Sequence, residues 1–110
     1  MRLLEYSMET LDTIIAKFAN HFDETSILLK TAEECTELSE ILIKTVTKNK
    51  HLKPPTEKLI EEMGDVFFRA GILIKKLGIK EKVAERIQHK ALTMNEWFKD
   101  RFEKTKENGI

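Results

Sequence analysis

Apolar side chains recur at intervals of three and four along almost the whole chain, and only four glycines and two prolines interrupt them. That period is helical, so each segment carries an apolar face that another helix must cover. Period-two alternation is missing, and the expected class is all-α. A chain of 110 residues accommodates three or four helices as one domain, residues 1–110, with modest capacity to bury a core alone, so association would help it.

The stripe Leu4, Met8, Leu11, Ile15, Phe18 and Phe22 predicts a first helix that fades between Asn20 and Asp23. A second should start at Thr25 or Ser26, either of which can cap it, and run to about Lys48. The segment from Asn49 to Pro55 reads as a basic loop, because consecutive prolines remove helix donors and push the preceding residue out of the α region. Thr56 caps a third helix, Gly78 stops it, and a fourth runs from Ile79 to about Lys104. Residues 105–110 are expected to fray.

Nineteen lysines and arginines balance nineteen aspartates and glutamates. No basic field speaks for nucleic acid, and no acidic bias speaks for disorder. The single cysteine, Cys35, cannot pair within the chain, which fits a reducing cytoplasm and a buried, inert thiol. The opening residues, Met1 to Tyr6, become charged too soon for a signal peptide, and no apolar run approaches the roughly 20 residues that span a bilayer. A soluble cytoplasmic protein is expected, with no membrane partner.

Two acidic clusters stand out: Glu33, Glu34 and Glu37 on the second helix, then Glu62 and Asp65 on the third. Positions three apart on a helix share a face, so each cluster offers paired carboxylates, and two facing helices would make a cage of hard oxygen ligands suited to Mg²⁺. A helical wheel places Ile27, Leu28, Cys35, Leu38, Leu42 and Val46 on the packed face of the second helix, with Glu34 at its edge, Glu37 just beyond, and Glu33 and Lys44 further round. On the third helix, Leu59, Met63, Val66, Ala70, Leu73 and Leu77 make the core stripe. Glu62 sits at its border, with Asp65 further out and Arg69 between them. One such spacing in a glutamate-rich helix is usually a solvated face; two at core borders on neighbouring helices favour a metal.

Other residues carry further signals. Phe68 and Ile72 project away from the main stripe of the third helix, as if to meet another subunit. Lys90 interrupts the apolar stripe Ile79, Val83, Ile87, Met94, Trp97 and Phe98, and Arg101 follows it. Snorkelling accounts for such cations, whereas a lysine aimed into the bundle would meet an anionic ligand. Gly64 inside the third helix reflects a close approach, a bound ligand or simple tolerance. His21, His51 and His89 form no metal pattern.

The run Glu33-Glu34-x-x-Glu37, twenty-four residues, then Glu62-x-x-Asp65 resembles the signature of the MazG-like all-α nucleoside triphosphate pyrophosphohydrolases. The likeness covers residues 22–101, with Lys30 and Val66 also suiting the pattern and Ile27 standing where many relatives have glutamine. The resemblance implies a four-helix antiparallel bundle whose active core is completed by a second subunit in a homodimer or homotetramer. It implies Mg²⁺, with Mn²⁺ as substitute, on Glu34, Glu37, Glu62 and Asp65. The substrate is an NTP or dNTP, cleaved between the α and β phosphates to monophosphate and pyrophosphate. Glu33 would accept the proton of the attacking water, Lys90 with Lys30 or Lys44 would neutralise phosphate charge, and Trp97, Phe22 or Phe98 would stack on the base. The competing expectation is a non-catalytic module that docks a partner helix on Phe68 and Ile72, or a nucleotide-binding regulator.

Overall fold

The computed structural model describes residues 8–48 and 56–103 of the chain. Helix α1 spans Met8–His21, α2 Glu24–Lys48, α3 Thr56–Leu77 and α4 Lys80–Phe98, with a π-helical turn at Lys99–Glu103. Among the described residues there is no strand, and no helix is long and apolar enough to cross a membrane. The all-α expectation holds. The expected loop at 49–55 and frayed tail lie outside the described residues.

The chain divides into two compact units, Met1–Gly78 and Ile79–Ile110. In the first, only Phe22 and Asp23 separate α1 from α2. The Asp23 carboxylate caps α2 by accepting the Ser26 N–H at 2.7 Å, and hydrogen bonding from the Ser26 side chain first, then from its backbone, holds the Asp23 pKa below the usual range. The cap is therefore Asp23 rather than Thr25 or Ser26, since a side chain three residues before the donor meets the third orphan N–H of the helix. Gly78 ends α3 as expected, at φ 64°, a left-handed conformation that costs glycine nothing.

Helix α3 packs against both α1 and α2. The core is Ala19, Ile27 and Ile72, with Ile15, Phe18, Phe68 and Leu73 packed on it. Phe18 and Phe68 meet edge to face, ring centres 5.8 Å apart. A Cβ on Gly71 would stand 3.3 Å from Ile15 Cδ1, so α1 and α3 approach closely there.

This sandwiching corrects the wheel-based core. A helix between two neighbours has two covered faces, and the second belongs to Phe68 and Ile72, the latter 2 % exposed. Those two are interior, not a docking face. The outward apolar residues of α3 are instead Ile60, Met63 and Phe67, Phe67 being 69 % exposed. On α2, Leu28, Leu42 and Val46 of the expected packed stripe are exposed, as is Cys35, which is not the buried thiol anticipated. The helix is rotated so that Ile27 and Glu34 turn inward.

In the second unit, α4 has no buried residue. Its end carries a small aromatic cluster: Phe102 meets Trp97 at 5.9 Å and Phe98 at 4.9 Å.

Truncating Ile72 to alanine should lower the unfolding free energy by about 2–5 kcal/mol, the cost of a cavity in so small a core. A Cβ on Gly64 would meet nothing within 4 Å, so Gly64→Ala should raise stability by up to about 1 kcal/mol. Chemical denaturation of the two variants checks both signs.

Candidate metal centre

Glu34 and Glu62 are buried, 9 % and 3 % exposed, although both are carboxylates. Burial follows from the rotation of α2 just described and from the position of Glu62 on the α3 face that meets it. The two acids therefore lie within the packed surface, not at its border as the wheel suggested. Each keeps one oxygen, Oε2, buried without a hydrogen-bond partner. A carboxylate oxygen removed from water without a partner is unfavourable, and a cation bound at this point would relieve the cost.

One carboxylate oxygen each from Glu34, Glu62 and Asp65 lies within 4.8 Å of the others. Oxygens about an ion of Mg²⁺ size, bonded at about 2.1 Å, stand at most about 4.2 Å apart. Only one pair of three octahedral donors can stand that far apart and the others come to about 3.0 Å, so the three side chains must draw together around an ion by rotation. An all-carboxylate donor set suits hard divalent cations and offers nothing to soft ones. The residues present thus fit an ion of the Mg²⁺ and Mn²⁺ class.

Glu37, half-buried, stands one turn beyond Glu34. The Glu34 charge, then burial, then the Glu62 charge push its pKa above the usual glutamate range. Its field is that of the cluster, although it is not among the three converging oxygens. Glu33 points to solvent, where Lys30 pairs with it at 3.2 Å. Sequence reasoning overlooked Lys58: its ammonium bonds Glu62 Oε1 at 2.8 Å and lies 4.0 Å from Glu61. Those partners hold its pKa above the usual lysine value, the Glu62 bond first. The four-residue spacing from Lys58 to Glu62 was the signal available.

One turn along the same helices, Phe18, Phe22, Ser26, Ile27, Lys30 and Arg69 line a cleft of about 290 Å³. Ile27 and Lys30 precede Glu34 on α2, and Arg69 follows Asp65 on α3. The cleft has apolar walls and two cations, a combination that suits a flat heterocycle carrying negative charge. Phe22 and Lys30 were expected at the site. Phe18, Ser26 and Arg69 were not, because Phe18 reads as core, and Arg69 shows only as a cation one turn from Asp65.

The remaining candidates are described by their own surroundings. Lys44 bonds Glu40 at 2.6 Å, both exposed, two turns beyond Glu37. Lys90 is exposed on α4, and Trp97 carries Arg101 over its ring at 5.2 Å; both belong to the second unit.

Among protein families, the model of the MazG nucleotide pyrophosphohydrolase domain matches residues 22–106. No curated protein and no solved structure matches the chain.

The raised pKa of Glu37 has a definite sign. A carboxyl that holds its proton more tightly when folded costs stability in full above its folded pKa, and the cost fades as pH falls through that value and is gone below the unfolded one. Divalent ions need the deprotonated form. Adding Mg²⁺ or Mn²⁺ should therefore raise the melting temperature near pH 7.5, with an increment that shrinks as pH drops toward 5. Thermal melts with and without metal across that range provide the check.

Proposed function

Because the chain belongs to the MazG nucleotide pyrophosphohydrolase family, whose members are hydrolases of nucleotide phosphoanhydrides, we propose that it converts a nucleoside or deoxynucleoside triphosphate to the monophosphate and pyrophosphate. The observation that carries this reading is the convergence of Asp65 with Glu34 and Glu62, two buried carboxylates that each keep one oxygen without a partner. These three, with Glu37, are the proposed ligands of Mg²⁺, for which Mn²⁺ substitutes. When bound, such an ion supplies polarisation of the phosphoryl group and cancels the negative charge that would repel a triphosphate.

The chain's own groups have separable tasks. Glu33 is exposed beside the ligands and accepts the proton of the attacking water. Lys30, which reaches Glu33 and also lines the cleft, neutralises phosphate charge. Arg69 joins it there in place of Lys44, which is occupied with Glu40. Phe18 and Phe22, ring centres 5.6 Å apart, offer apolar surface to the base. The roles of Lys90 on phosphate and Trp97 on the base rest on family resemblance alone. Phe68 and Ile72 are interior, so docking of a partner helix on them loses its premise.

Association into a homodimer or homotetramer is part of the proposal. Leu42, Ile43 and Val46 on α2, and Ile60 and Phe67 on α3, are large apolar side chains left exposed. So many on so small a chain favour a self-complementary contact. The family match extends across both compact units, in keeping with one domain. A single exposed thiol accords with a reducing cytoplasm.

A panel of NTPs and dNTPs with Mg²⁺, followed for pyrophosphate release, should identify at least one substrate; folded, metal-loaded protein that turns over none would refute the reading. Glu34→Gln and Asp65→Asn should each lower turnover by at least about a hundredfold with helical content intact. Lys30→Ala and Arg69→Ala should act mainly on KM, by roughly tenfold each, the worth of one charged hydrogen bond. Lys90→Met tests the lysine assigned by resemblance, through kcat.

A further inference from the structure

Lys58 lies one turn before Glu62 on α3, and among the described residues no other lysine or arginine pairs with Glu34, Glu37, Glu62 or Asp65. The contact is asymmetric. The ammonium takes Glu62 Oε1 at 2.8 Å, while Glu62 Oε2 is buried without a partner. One oxygen is thus tied to a fixed positive charge, and the other remains to share a divalent ion. Lys58 itself is half exposed and reaches the carboxylate from the solvent side.

Resting on the metal assignment made above, we propose that Lys58 is a built-in counter-ion of the centre, one that weakens its hold on a free divalent ion. Two effects of the ammonium oppose each other. It keeps the Glu62 carboxylate in one orientation, which favours metal binding, and it places a like charge beside the ion, which disfavours it. Burial on a packed helix face already restricts the Glu62 side chain, so orientation gains little and repulsion prevails. The metal-free centre is meanwhile stabilised, because the ammonium offsets the mutual repulsion of the acids. Nucleotide phosphates would bring negative charge that cancels the penalty. Lys58 therefore couples metal loading to the arrival of an anionic substrate, leaving the bare protein a weak metal binder.

The test is titration calorimetry of the whole chain with Mn²⁺ and with Mg²⁺, without nucleotide, alongside thermal melts of the metal-free protein. Lys58→Met should bind either ion roughly three- to tenfold more tightly than wild type, as expected for removing a like charge near a partly exposed site. Its metal-free melting temperature should fall, and Lys58→Arg should resemble wild type in both measurements. Lys58→Gln serves as the second variant should the methionine protein fail to fold. Unchanged or weaker metal binding by the folded variant, while wild type binds metal, would overturn this inference and leave the metal assignment standing. Absence of metal binding by wild type and variant alike would overturn both.

Discussion

The contact between α2 and α3 is the constraint on which the rest depends, because it buries Glu34 and Glu62 in the same surface that joins the helices. Packing of this kind is ordinarily apolar. Here the interface gives up part of its hydrophobic contact to place unpartnered carboxylate oxygens together, and the folded chain must then find positive charge. Lys58 supplies some of it from α3 itself. A divalent ion would supply more, at the point where the oxygens of Glu34, Glu62 and Asp65 converge.

Packing and chemistry divide the first unit along its length. Toward Ile27, Ile72 and Ala19 the helices close on an apolar core, where α1 meets α3 at Gly71. Toward Glu34 and Glu62 the same α2 and α3 pair becomes acidic. The cleft bounded by Phe18, Phe22, Lys30 and Arg69 lies on the core side of the acids. A nucleotide with its phosphates toward the acids and its base toward the aromatic rings would follow this gradient in polarity. Core residues such as Phe18 and Ile27 thereby serve both stability and the cleft, so changes at them should rarely affect one alone.

How much of this could be read beforehand differs by element. Helix existence was legible from apolar period and from Gly78, whose positive φ is a local demand. The five acids were legible as candidates because their spacing is a property of one helix at a time. The cap at Asp23 was misread by two or three residues, since Thr25 and Ser26 are equally good capping types. The core faces were misread more seriously. A wheel finds one apolar stripe per helix, whereas α3 has two covered faces and an outward one, and α2 directs much of its apolar stripe, Leu28, Leu42 and Val46, outward. Such a chain has more apolar surface than one copy buries, which is why Phe68 and Ile72 were mistaken for the exposed face and Phe67 and Ile60 were passed over.

Helical class, the approximate ends of the helices, and the supply of carboxylates were settled by the order of residues alone, because each depends on interactions within a few positions along the backbone. Which apolar stripe faces inward, which acids lose their water, and that Lys58 rather than Lys44 stands against the cluster were settled only by packing. Desolvation is a property of what surrounds a side chain, and for Glu34 and Glu62 the water is excluded by a separate helix of the chain.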